Sequence, residues 1–220
     1  MARTELDHLL YAGPDLAELR RDLLRKGGPK AAPGGRHDAW GTHNALVGLG
    51  VGRYLELIAP EPGGDGPWAR LFRRLAAPSL QAWCVRGGAA DQVEARLTAA
   101  GVATKRVAGG RRLPDGSELT WQLVFPRGHR FGGALPFFID WQGSEHPSSR
   151  AEPAAELTSL TVEHPEADAL SAVLEAVGTL PELLIVRNGS RTTLEARFVT
   201  GEGEFALEGV LDTQAYLGEA

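Results

Sequence analysis

Apolar and polar positions repeat one order along the chain. Leu6 to Ala12 reads as a short strand, with Leu6, His8 and Leu10 on one face by alternation. Asp15 is a candidate N-cap, and Leu16, Leu19 and Leu23 follow it at helical spacing. Gly27-Gly28-Pro29 stops that helix. Residues 30–40 are rich in Pro and Gly and predict at most one edge strand. Gly41 to Pro60, GTHNALVGLGVGRYLELIAP, predicts a β-hairpin with a turn of glycines. In its second strand Tyr54, Glu56 and Ile58 point one way; Leu55, Leu57 and Ala59 point the other.

After a loop at 61–67 and a connecting helix over Trp68 to Ala76, the pattern restarts at Leu80. LQAWCVR is a strand, Ala89 to Ala100 a helix, Val102 to Val107 and Leu119 to Phe125 strands, and LPFFIDW (135–141) the last strand. Leu113-Pro-Asp-Gly is a turn. The repeat distance is roughly 75 residues. The pattern returns a third time. Leu157 to Val162 is a strand, Pro165 to Val177 a helix, and 183–186, 192–199 and 204–210 are strands. The polar, Pro-containing stretch GSEHPSSRAEPAAE reads as a linker before this third unit.

With 220 residues, 43% of them hydrophobic, the chain can bury a sizeable core. The net charge of −5 is mild, and the short basic groups at Arg20, Arg21, Arg25 and Lys26 read as a solvated helix face, not a nucleic-acid footprint. Cys84 is the only cysteine, which excludes an intrachain disulfide and a Cys-based zinc site. No apolar run approaches the roughly 20 residues of a membrane span, and the N-terminus lacks a secretory core. The expectation is a soluble cytoplasmic protein.

Glu56 is a lone carboxylate among apolar neighbours on its strand face. Such a group is paired, bound to something, or at a rim. A salt bridge to Arg86 or Arg53 is the bland alternative. His8 is either a hydrogen-bonded core residue or a ligand. His43, at the start of the hairpin, would face the same way if the strand begins there, and His129 lies in the loop before LPFFIDW. Trp121, Phe138 and Trp141 are candidate walls of an apolar pocket or plain core. His37 reads as an exposed loop residue.

Repeated βαβββ units with a His in the first strand and a Glu in the last resemble the vicinal-oxygen-chelate superfamily. LDHLLYAG, GTHNAL, YLELIAP and LPFFIDW…HPS look like its glyoxalase-like domain group, over about residues 4–148. The resemblance implies an α+β fold in which units 4–60 and 80–142 form a curved, half-open sheet. A further βαβββ-like unit would occupy 152–220. The resemblance also implies a divalent metal in the cup (Zn, Ni, Mn, Fe or Co), with His8, Glu56 and Asp140 as ligands; read from its own position, Asp140 is rather a strand-end residue bonding a turn amide. Glu56 would be the catalytic base. His43, Trp121, His129 and Phe138 would contact the substrate. At the first strand of unit two, around Ala82, Trp83 and Cys84, the sequence departs from the pattern and offers no His, Asp or Glu.

Three metal ligands with open positions would let a metal act as a Lewis acid on adjacent substrate oxygens. The implied activity is that of a lyase, isomerase or dioxygenase. The alternative is a non-enzymatic protein that sequesters a small molecule or drug in the same cup, as bleomycin-resistance proteins do. A third is an interaction module, with the C-terminal unit as a homodimer interface.

Overall fold

The computed structural model describes residues 4–112, 118–179 and 181–211. The expected turn at Leu113-Pro-Asp-Gly lies outside them. Unit one comprises β1 (Glu5–Ala12), α1 (Leu16–Arg25), β2 (Ala32–His37), β3 (Thr42–Gly48) and β4 (Tyr54–Pro60). Asp15 caps α1 as the sequence predicts, its Oδ1 accepting from Glu18 N at 2.7 Å. Leu16, Leu19 and Leu23 are its buried stripe. The hairpin turn places Gly50 and Gly52 at φ +90° and +74°, where a side chain is strained.

A short helix, α2 (Pro67–Phe72), leads to unit two: β5 (Ser79–Arg86), α3 (Ala90–Ala99), β6 (Ala103–Arg112), β7 (Glu118–Arg127) and β8 (Phe137–Asp140). Both units join one eight-stranded sheet, in the order β2-β3-β4-β1-β5-β8-β7-β6. The order is symmetric about the antiparallel β1–β5 pair. In each unit the first strand pairs in parallel with the last, β1 with β4 and β5 with β8. The two helices cover the convex face with Leu19, Leu23, Val93 and Leu97. The concave face carries a second apolar cluster that includes Leu10, Ile58, Trp68, Phe125 and Phe137.

One register irregularity shapes the site. Between Leu6 and His8 the β1–β5 ladder shifts, so that Leu6 pairs with Val85 and His8 with Cys84, leaving Asp7 as the extra residue. Leu6 therefore joins the convex-side core with Leu9, while Leu10 lies on the concave side and His8 on the pocket wall. Strict alternation had grouped Leu6 with His8; the bulge separates them.

The C-terminal unit comprises β9 (Glu156–His164), α4 (Ala167–Ala176), β10 (Leu184–Asn188), β11 (Thr193–Thr200) and β12 (Gly203–Val210). Its element order matches the other two units, but its strand order, β10-β9-β11-β12, does not. Here the first strand pairs in parallel with the strand directly after the helix and antiparallel with the next. Leu160, Val162, Leu170, Phe198 and Leu207 share one buried cluster with Leu9 and Trp83 of the body. Gly209 lets β12 approach closely: a Cβ there would stand 1.7 Å from the Leu80 carbonyl oxygen. The linker is tied down too, with Ala154 N donating to Gly48 O at 3.0 Å and Gly52 N to Ser148 Oγ at 2.9 Å. No described helix is long and apolar enough to cross a membrane.

Candidate functional site

The concave face of the sheet holds a pocket of about 550 Å³ including its open mouth. One end is polar, lined by His8, Glu56, His37 and Asn44. The rest is apolar, with Trp40, Trp68, Trp121, Trp141, Phe137 and Ile139 among the walls.

The polar end is built outward from Asp7. The bulge turns this residue inward, where it is fully buried. Its Oδ1 accepts from His8 Nδ1 at 2.7 Å. Its Oδ2 accepts from Arg86 Nη1 at 3.1 Å, Trp141 Nε1 at 3.0 Å and His146 Nε2 at 3.1 Å. Burial alone would raise the carboxyl's pKa; the hydrogen bonds from His146 and His8 outweigh it and hold the group well below the usual carboxylate range. A carboxylate anion only accepts, so neutral His8 carries its proton on Nδ1 and turns the Nε2 lone pair into the pocket. The tautomer of His146 follows likewise: Ser148 N donates to Nδ1 at 3.1 Å, leaving Nε2–H for Asp7.

His8 Nε2 lies 3.8 Å from Glu56 Oε2. Glu56 Oε1 accepts from Asn44 Nδ2 at 2.6 Å and lies 4.0 Å from His37 Nε2. Tyr54 stacks on His8 with ring centroids 4.7 Å apart and fixes its plane. The two residues singled out first, His8 and Glu56, thus meet on one wall. The bland alternative for Glu56 does not arise through Arg86, whose guanidinium is engaged by Glu5, Asp7 and the Gly52 carbonyl.

Of the other expected site residues, Asp140, Phe138, His43 and His129 go elsewhere. Asp140 is not at the pocket. Its Oδ2 accepts from Ala90 N at 3.1 Å and its Oδ1 from Gln142 N at 2.9 Å. Ala89, the N-cap of α3, has no side chain able to cap, and Asp140 supplies that bond from β8. The parallel ladders show why. Glu56 pairs with Leu10, two residues beyond His8; the matching place in unit two is Ile139, which pairs with Arg86, two beyond Cys84. A shift of one residue puts Asp140 on the other face. The same phase puts Phe137, not Phe138, on the pocket wall, and Phe138 in the convex-side core. His43 borders a separate surface groove beside Asp15 and Arg20, while its neighbour Asn44 faces the pocket. His129 stacks on Phe131 in a loop away from the pocket. Trp121 lines the pocket.

His37, expected as an exposed loop residue, instead ends β2 and lines the pocket; Asp7 and Asn44 join it at the polar end without having been candidates. Asn44 was within reach, since it lies on the strand paired with β4 and in phase with Leu46, the partner of Glu56. Asp7 was not, because alternation points it away from His8.

A divalent metal does not fit these donors well. His8 Nε2 and Glu56 offer two, and the third candidate at this end, His37 Nε2, is taken up by Asn44 Nδ2 at 3.4 Å, where a catalytic site takes about three protein ligands. Among the described residues, Asp7, His8 and Cys84 do bring donor atoms within 4.8 Å of one another. Both Asp7 oxygens already accept hydrogen bonds. Burial, then the charges of Asp7 and Glu56, push the Cys84 thiol well up, away from the thiolate a metal requires.

A sequence profile described as a glyoxalase-like domain matches residues 6–178. No curated protein matches. Among solved structures, a hypothetical protein from Staphylococcus aureus is 16% identical, with 95% of this chain and 86% of that chain covered and a TM-score of 0.64. A mutant of 4-hydroxymandelate synthase from Streptomyces coelicolor is 15% identical over 96% of this chain and 64% of that chain, with a TM-score of 0.54. Methylmalonyl-CoA epimerase from Mycobacterium tuberculosis is 22% identical over 61% of this chain and 85% of that chain, with a looser TM-score of 0.43. The paired βαβββ units, the shared half-open sheet and the profile spanning most of the chain agree: the chain belongs to the glyoxalase-like domain family, within the vicinal-oxygen-chelate superfamily.

Proposed function

We propose that the cup binds a small, flat organic molecule, and that His8 and Glu56 move a proton at its polar end. The observation that carries this is the line Asp7–His8–Glu56 at the head of an aromatic pocket. Asp7 fixes the tautomer of His8 and stabilises its cation after proton uptake. Glu56, held by Asn44, is the second acceptor and receives or returns the proton. The aromatic walls exclude water and orient the substrate. The reaction class is an isomerase- or lyase-type proton transfer next to an unsaturated centre, carried by side chains.

The test is solvent deuterium incorporation, followed by NMR, into ligands that raise the melting temperature of protein purified without a histidine tag. His8→Gln and Glu56→Gln should each slow exchange by about 10²–10⁴-fold. Exchange that survives both substitutions removes the reading. Loss of exchange on chelation, with one divalent metal per chain by elemental analysis, would restore a metal mechanism.

A second reading, sequestration without chemistry, is favoured by the apolar residues Phe137 and Ile139 on the unit-two wall. It predicts binding that both variants weaken, with no exchange in the wild type.

A further inference from the structure

We infer that the ligand of this pocket is an organic amine or ammonium ion on a flat ring, with its cationic end against Glu56. The inference rests on reading the cup as a ligand site and goes on to its chemical class.

The polar end presents acceptors around Glu56. His8 donates through Nδ1 to Asp7, and its Nε2 stands 3.8 Å from Glu56 Oε2, too far for a hydrogen bond, so that carboxylate oxygen still faces the pocket. Asn44 spends its amide group on Glu56 Oε1 at 2.6 Å and on His37 Nε2 at 3.4 Å. A ligand meeting this end must therefore bring hydrogen-bond donors or a positive charge.

The charge balance points the same way. Glu56 is the only carboxylate among the pocket's described lining residues, and no Lys or Arg stands among them. The nearby Arg86 is held by Asp7 and Glu5. An anionic ligand would face Glu56 with no Lys or Arg to offset it.

The walls supply the third argument. Trp40 stacks on Trp68 at 4.4 Å from the unit-one side, and Trp121 leans on Trp141 at 5.8 Å from the unit-two side. Indole faces are the strongest partners of organic cations. Four indoles and one carboxylate around one cavity suit a cation better than a neutral or acidic molecule.

The test is intrinsic tryptophan fluorescence titration of the full chain with four ring-matched probes: benzylamine, benzyltrimethylammonium, benzyl alcohol and benzoate. The two cations should bind at least about tenfold tighter than benzyl alcohol, with benzoate weakest. Glu56→Gln should erase the preference for cations over benzyl alcohol. Glu56→Asp, with thermal melting of both variants as a check on folding, should retain part of it. Trp121→Leu should weaken both cations. Benzyl alcohol or benzoate binding as tightly as the amines overturns the cation class while leaving the cup a ligand site. If no probe binds, this inference falls, and the failure extends to the proposed function only if no compound of any class raises the melting temperature.

Discussion

Units one and two share a fold and differ in chemistry. In both, a first strand pairs in parallel with the last, and a helix covers the convex side. Yet position by position the pocket wall changes character. His8 of β1 is matched by Cys84 of β5, Tyr54 of β4 by Phe137 of β8, and Glu56 by Ile139. Unit one therefore contributes the polar end, and unit two an apolar wall. The two units keep what the backbone needs, a buried face every second residue, while their inward side chains differ. A two-fold arrangement of strands thus encloses a one-sided site. His8 differs from Cys84 in a further respect: the bulge at Asp7 gives it a buried carboxylate on its far nitrogen.

The comparison breaks most severely at Asp7. Asp7→Ala should lower stability by about 3–5 kcal/mol in urea denaturation, because it strands the donors of His8, Trp141 and His146 and leaves Arg86 with Glu5 as its counter-charge. A smaller loss would mean that Asp7 is a lesser anchor than the four donors around it imply. The pH dependence has a definite sign. The carboxyl's pKa is depressed in the folded state, so its contribution is complete above the unfolded value of about 4 and is lost as pH falls below it. The stability gap between wild type and Asp7→Asn should therefore narrow as acid titrations pass below about pH 4.

Unit two can be given the donors of unit one. The double substitution Cys84→His with Ile139→Glu should raise affinity for Ni²⁺ or Zn²⁺ by about tenfold or more, ~1.4 kcal/mol, in calorimetric titration. No gain would show that the two walls do not converge on one point. Asp140→Ala should remove the bond to the start of α3 and cost about 1 kcal/mol in thermal denaturation, with probe binding unchanged. Loss of binding there would put Asp140 back in the site. The smallest effect is expected at His43, where His43→Ala should change stability by less than about 0.5 kcal/mol and leave the fluorescence titrations as in wild type.

Much of the fold was legible because it rests on local periodicity. Asp15 and the 16-19-23 leucine stripe mark α1, and the glycines mark the hairpin, each through forces that act within a few residues. His8 and Glu56 were legible for the same reason, as polar residues in strands whose neighbours are apolar. Where two segments had to be aligned without a ladder to fix the phase, a one-residue error exchanged Asp140 for Ile139 and Phe138 for Phe137. The C-terminal unit shows the same limit. Its element order follows the other two, but which strands pair depends on long-range contacts with the body.

By itself, then, the sequence determined the elements, the repeat and the two strands that carry a lone histidine and a lone carboxylate among apolar neighbours. Only the tertiary structure decided that Asp7 turns inward. A bulge is set by the mismatch of β1 against β5, not by either strand alone. It also decided that Asn44 and His37 complete the polar end, and that four tryptophans from distant parts of the chain close around it. Side-chain phase is a local property of a strand, whereas register and convergence are properties of the pairs it makes.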